Sequence, residues 1–209
     1  MNIVEFLKGI FSQKKQKVSS SAVGFDRESL DKSLNAFMNR KTYKTINTAV
    51  LTEISDDKLI QAIVDYISDK IIKDNYKDQY SLVKALPIGF QHIFGVFLLE
   101  AEVNNGGFNQ FFYNSSSLFI DEAHNGCVAI GAIKTAKVVA SAVDIIMKEM
   151  EMQKKTREIG TIEAFMQSYE DTKLGVCDDE FYKYSEDLQG LCIRYVRNNY
   201  GDFEEKTGA

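Results

Sequence analysis

The chain has 209 residues, 44% of them hydrophobic, enough to bury one sizeable core, so a single domain is expected. Its net charge of −5 comes with no basic stripe, which argues against direct binding to DNA or RNA. Cys127, Cys177 and Cys192 are widely spaced and lack a C-x-x-C pair, which argues against a zinc or disulfide framework and for buried thiols in a reducing, cytoplasmic compartment.

A single proline and many Leu, Ile, Lys and Glu residues favour helix throughout. Met1 to Phe11 places Ile3, Phe6, Leu7 and Ile10 at helical spacing, with Lys14, Lys15 and Lys17 after them. That order is the reverse of a secretory signal. The segment reads either as a helix touching a membrane surface or partner, or as one that packs on the domain. With the Ser-rich stretch that follows it forms residues 1–22, and an all-helical domain is expected over 23–209.

Phe25 to Asn39 carries Leu30, Leu34, Phe37 and Met38 on one face. Tyr43 to Ile54 reads as an irregular connection. Ser55 is placed to cap a helix whose stripe is Leu59, Ile63, Ile67 and Ile71. A polar connection, Asn75 to Lys84, leads into the centre of the chain.

The stretch from Pro87 to about Asn104 is apolar on every side (Ile88, Phe90, Ile93, Phe94, Val96, Phe97, Leu98, Leu99), the mark of a buried helix. Its uninterrupted apolar run is far shorter than the ~18–20 residues of a membrane span. The fold expected is therefore an all-α multi-helix bundle around this central helix. N-N-G-G at Asn104–Gly107 must stop it, with Asn104, Asn105 or Gly106 taking the left-handed backbone. A helical turn from Phe108 then sets Phe108, Phe111 and Phe112 on one face and Asn109, Gln110, Tyr113 and Asn114 on the other.

Beyond a loop at Ser115–Ser117, a helix from about Leu118 to Ile130 presents Ile120, Ala123, Cys127, Val128 and Ile130, and Gly131 ends it. Lys134 to Met150 repeats Val138, Val139, Ala142, Val143, Ile146, Met147 and Met150 at helical spacing. Arg157 to Tyr169 is expected to pack Ile162, Phe165, Met166 and Tyr169. Asp178 is placed to cap one long last helix to Tyr200, with Gly201 as its stop.

E-A-E-V-N-N-G-G-F-N-Q-F-F-Y-N-S, continued by A-I-G-A-I-K-T-A at Ala129–Ala136, resembles the signature of a bacterial family of all-helical domains of unknown function. The resemblance covers roughly residues 86–150, with G-G-F-x-Q-F-x-x-N-S as its specific part. That family includes a dimeric DNA-mimic protein whose acidic surface occupies a transcription factor's DNA-binding site. The resemblance implies a homodimer that binds a DNA-binding protein.

The usual catalytic patterns are missing: no phosphate-cradling glycine loop, no G-x-S-x-G and no H-E-x-x-H. His124 and Cys127 could pair a thiol with a base, but read better as core residues. Asp121 and His124 have the spacing of half a di-metal site, and the other half is absent because His92 has no carboxylate three residues before it. No catalytic residue, metal or cofactor is expected.

Two candidate surfaces remain. Glu102, Asn104, Asn105, Gly106, Gly107, Asn109, Gln110, Tyr113 and Asn114 form a polar cluster, read either as a pocket for a small molecule or peptide or as a structural network closing two helix ends. The second surface is acidic. Residues 151–209 hold 8 Lys or Arg against 13 Asp or Glu, so the whole negative surplus lies there. Glu163, Glu170, Asp171, Asp178, Asp179, Glu180, Glu186 and Asp187 could form a face for a basic protein partner, or an ordinary solvated face. Carboxylates one helical turn apart lie about 5–6 Å from each other, on the scale of the ~3.4 Å between phosphates along a DNA strand.

Overall fold

The computed structural model describes residues 39–74, 78–149 and 172–204, with Asn35 and a few positions between 150 and 171. The chain separates into two compact units, residues 1–44 and 45–209. The expected N-terminal helix, the Ser-rich linker and nearly all of the Phe25–Asn39 helix lie outside the described residues. Among the described residues every regular element is helical, as the composition predicts. No described helix is long and apolar enough to cross a membrane.

In the second unit, α1 (Thr48–Glu53) replaces the irregular connection expected there, because the Asn47 side chain accepts from the Val50 N–H and caps it. α2 (Asp56–Lys73) buries the predicted stripe of Leu59, Ile63, Ile67 and Ile71. Ser55 stands at its N-cap but makes no side-chain bond. The polar connection contains α3 (Gln79–Lys84), capped by Asp78, which accepts from the Ser81 N–H.

α4 (Ile88–Tyr113) is the centre of the unit, and a break at Gly106–Gly107 divides it into two limbs. Phe90, Ile93, Phe94, Val96, Leu98, Leu99 and Val103 are all buried. Phe90 meets Phe203 edge-on at 5.1 Å and Tyr66 at 5.3 Å, while Phe94 meets Phe119 edge-on at 5.5 Å. Such pairs add to the burial of their area.

A 3₁₀ turn (Ser115–Phe119) leads into α5 (Ile120–Ala129), so the helix starts two residues later than predicted. α5 turns Glu122, Ala123, Gly126 and Cys127 inward, while Val128, expected inside, is 48% exposed. The reason is the way α5 crosses α4. A side chain at Gly95 would run into the Glu122 backbone and come within 2.5 Å of the Ala123 nitrogen; one at Gly126 would lie 2.5 Å from the His92 carbonyl oxygen. Each helix lays a glycine against the other's backbone, and that contact sets which face of α5 points in. Gly95→Ala is expected to cost about 2 kcal/mol in urea unfolding, as overpacking usually does. A loss within experimental error would show that the two helices can move apart freely.

Gly131, at φ +84, separates α5 from α6 (Ile133–Lys148) as predicted. Val139, Ala142 and Ile146 face the core, but Met147 is exposed. Between 157 and 169, Ala164 is buried whereas Ile162 and Met166 are exposed, which reverses the packing expected for those two; Phe165 and Tyr169 lie outside the described residues. The long last helix is in fact α7 (Gly175–Phe181) and α8 (Leu188–Asn198). Tyr184 at φ +45 turns the chain between them, and Asp187 rather than Asp178 caps the second, accepting from the Gly190 N–H. Arg197 on α8 donates to the α1 carbonyl of Leu51 and to the Asp56 carboxylate at 2.7 Å, tying α8 to the α1–α2 junction.

Candidate functional site

The site grows from the break in α4. Helical backbone continues through Asn105; Gly106 leaves it at φ −166, ψ 32, and Gly107 takes φ +70, ψ −178. Only glycine tolerates that combination, so the demanding position is Gly107 and not Gly106 or an asparagine. The N–H groups in the first turn of the second limb have no carbonyl partner within their own helix. One of them, Phe108 N–H, donates to the Asp178 carboxylate at 2.7 Å, so α7 supplies the cap from 70 residues away. Burial pushes the Asp178 carboxyl above its usual range, the Phe108 bond pulls it down, and Asp179 beside it pushes it up; the net direction is upward.

The same stretch of chain holds the end of the first limb. Tyr182 donates its hydroxyl to the Val103 carbonyl at 2.7 Å. Tyr184 accepts from the Asn104 amide at 2.5 Å and donates to Glu100 at 3.0 Å. These bonds hold Tyr184 in the left-handed region that a tyrosine seldom adopts.

Inside the break lies Glu102, 4% exposed. Its Oε2 accepts from Gln110 Nε2 at 2.7 Å and from Asn114 Nδ2 at 2.9 Å, and its Oε1 accepts from Ser116 Oγ at 2.5 Å. Three neutral donors therefore solvate a buried carboxylate and lash both limbs of α4 to the 3₁₀ turn. The predicted polar cluster is thus divided. Glu102, Gln110 and Asn114 come together, Asn109 is buried, and Tyr113 is half-buried. Asn104 and Asn105 are exposed on the other side, Asn104 on Tyr184. The sequence places Ser116 only in a loop; its position in N-S-S-S just beyond the amides is the signal that marks it.

The acidic residues have equally distinct surroundings. Glu186 bridges to the start of α6, accepting from Lys134 N–H at 3.0 Å and from Thr135 N–H and hydroxyl at 2.8 and 2.9 Å. Burial pushes its carboxyl up, but these bonds outweigh it and hold the group below its ordinary range. Asp187 caps α8, and Glu180 pairs with Lys183. Asp179, Glu180, Asp187 and Glu163 are exposed; Glu170 and Asp171 lie outside the described residues.

One polar chain has no counterpart in the sequence reading. Tyr195, buried in the core, donates its hydroxyl to Asp202 at 2.6 Å. Having given its one proton there, it accepts from His92 Nδ1 at 3.0 Å, which places the imidazole proton on Nδ1. Burial holds His92 below its ordinary range, against the pull of Asp202 and Glu122. His124 is half-buried, and no described bond joins it to Cys127. Burial pushes the Cys127 thiol up to about 12 and raises Cys192 and Cys177 as well, so none of the three is an activated nucleophile. Among the described residues no group of three or more His, Cys, Asp or Glu side chains could hold a metal ion.

Residues 84–199 match the model of a family described as DMP19-like protein. That span reaches well past the motif around Gly106–Gly107 and takes in α4 to α8. Neither the curated proteins nor the solved structures contain a match.

Proposed function

The chain belongs to the DMP19-like protein family, and from this we propose that it is a non-enzymatic interaction protein that engages a DNA-binding protein through an acidic, DNA-like surface. The observation that carries the reading is the build of residues 178–187. Asp178, Tyr182, Tyr184 and Glu186 are bonded inward to α4 and α6, while Asp179, Glu180 and Asp187 are left exposed. An anchored segment presents its charges in one geometry, so little ordering entropy is lost when a basic groove closes on it. Lys183 is the sole base in this segment. The alternative reading, a small-molecule or peptide pocket at the amide cluster, finds Glu102 already engaged by Gln110, Asn114 and Ser116.

The test keeps the capping residues Asp178 and Glu186 and changes Asp179→Asn, Glu180→Gln and Asp187→Asn together. Asparagine preserves the α8 cap. In pull-downs from the source cell's extract, wild type is expected to retain a basic DNA-binding protein that high salt releases, duplex DNA displaces and the triple variant fails to capture. A partner unaffected by salt, DNA and the triple change would defeat the reading. We also propose a homodimer, for which light scattering of the purified chain should give twice its 23.7 kDa mass; a monomer mass at micromolar concentration would count against it.

A further inference from the structure

A groove of about 250 Å³ opens where α2, α4 and α8 meet, lined by no residue of the amide cluster or of the 178–187 segment. Its floor is Ile93, Val96 and Cys192, and Ile60 and Phe97 form its partly exposed walls. Two carboxylates line it, Asp57 from the first turn of α2 and Glu100 from α4, and among the described lining residues none is cationic. Gln61 and Gln189 add carboxamides.

The charge and the walls point to the same chemistry. An anion would meet two carboxylates here. A fully apolar molecule would fill the floor but leave the carboxylates without a counter-charge. Glu100 is also fixed in place, because Tyr184 donates to one of its oxygens at 3.0 Å.

We propose that this groove binds an organic cation with an apolar body, such as an arylalkyl- or alkylammonium compound. The ammonium lies towards Asp57 and Glu100, and the hydrocarbon packs on Ile60, Phe97 and Val96. Few sites of this size bind a ligand without a placed polar group to orient it, and the two carboxylates supply that orientation.

The experiment titrates 2-phenylethylammonium into the full-length, isotopically labelled chain and follows backbone amide resonances. 2-Phenylethanol and 3-phenylpropionate serve as neutral and anionic isosteres. Saturable shifts confined to α2, α4 and α8 are expected, with the ammonium compound bound most tightly and the carboxylate not at all. Glu100→Gln and Asp57→Asn should each weaken the ammonium roughly fivefold while leaving the alcohol unchanged. Spectra of both variants that match wild type away from the groove would show that the fold is intact. Equal binding of all three compounds, shifts centred elsewhere, or no saturation by the ammonium in the millimolar range would overturn the proposal.

Discussion

Replacing Glu102 by leucine is expected to lower the free energy of unfolding by about 3–5 kcal/mol, measured by urea denaturation. Leucine fills a similar volume, so the loss does not come from a cavity. It comes from Gln110, Asn114 and Ser116, whose donors converge on a carboxylate only 4% exposed and would be left without an acceptor. A buried donor such as that of Gln110 or Ser116 costs about 1–3 kcal/mol, the half-buried Asn114 less, and the three share one site, so their costs do not simply add. Glu102→Gln should fall between wild type and leucine, because its amide offers one oxygen and turns a donor towards the others. A loss below about 1 kcal/mol for leucine would mean that water reaches these groups and that the network does not hold the break in α4 together.

Gly107→Ala carries the second large effect, a loss of about 3 kcal/mol and a fall in melting temperature of roughly 10 °C. Two causes act together. At φ +70 and ψ −178 a β-carbon is strained whatever surrounds it, and here it would also lie 2.5 Å from the Asp178 carboxylate. Moving that carboxylate away would uncap Phe108. The two causes can be separated in a cycle with Asp178→Ala. Alone, that change should cost about 1 kcal/mol as the loss of a cap. In the double variant the clash disappears and only the backbone strain and the lost cap remain, so the combined loss should be smaller than the sum of the two. Strict additivity would show that Asp178 and Gly107 do not share the site the geometry assigns to them.

These two expectations show how much of the site could be read in advance. The break in α4 was legible, since an apolar helix followed by N-N-G-G has no way to continue unchanged. Which glycine takes the positive φ was not legible, because that choice depends on where α7 brings Asp178. The amide cluster was recognisable as a polar group at a helix end, but its division into a buried network and an exposed edge depended on the direction in which each limb emerges from the break. Ser116 joined the network only because the 3₁₀ turn folds back over Glu102. Likewise, the acidic run from Asp178 to Asp187 was plain in the composition, whereas the engagement of Asp178 and Glu186 with distant N–H groups was invisible.

The sequence by itself determined the elements that depend on neighbours a few residues apart. The all-helical content, the buried stripe of α2, the apolar central helix and the stop at Gly131 all follow from side-chain periodicity and local backbone freedom, which act within a turn or two. Tertiary structure alone decided the pairings across long intervals of chain: Phe108 with Asp178, Thr135 with Glu186, His92 with Tyr195, and Gly95 with the backbone of α5. A hydrogen-bonding side chain carries no sign in the sequence of which distant group it will meet. That information exists only once the helices have packed, because burial is what makes an unpaired donor or acceptor costly enough to select its partner.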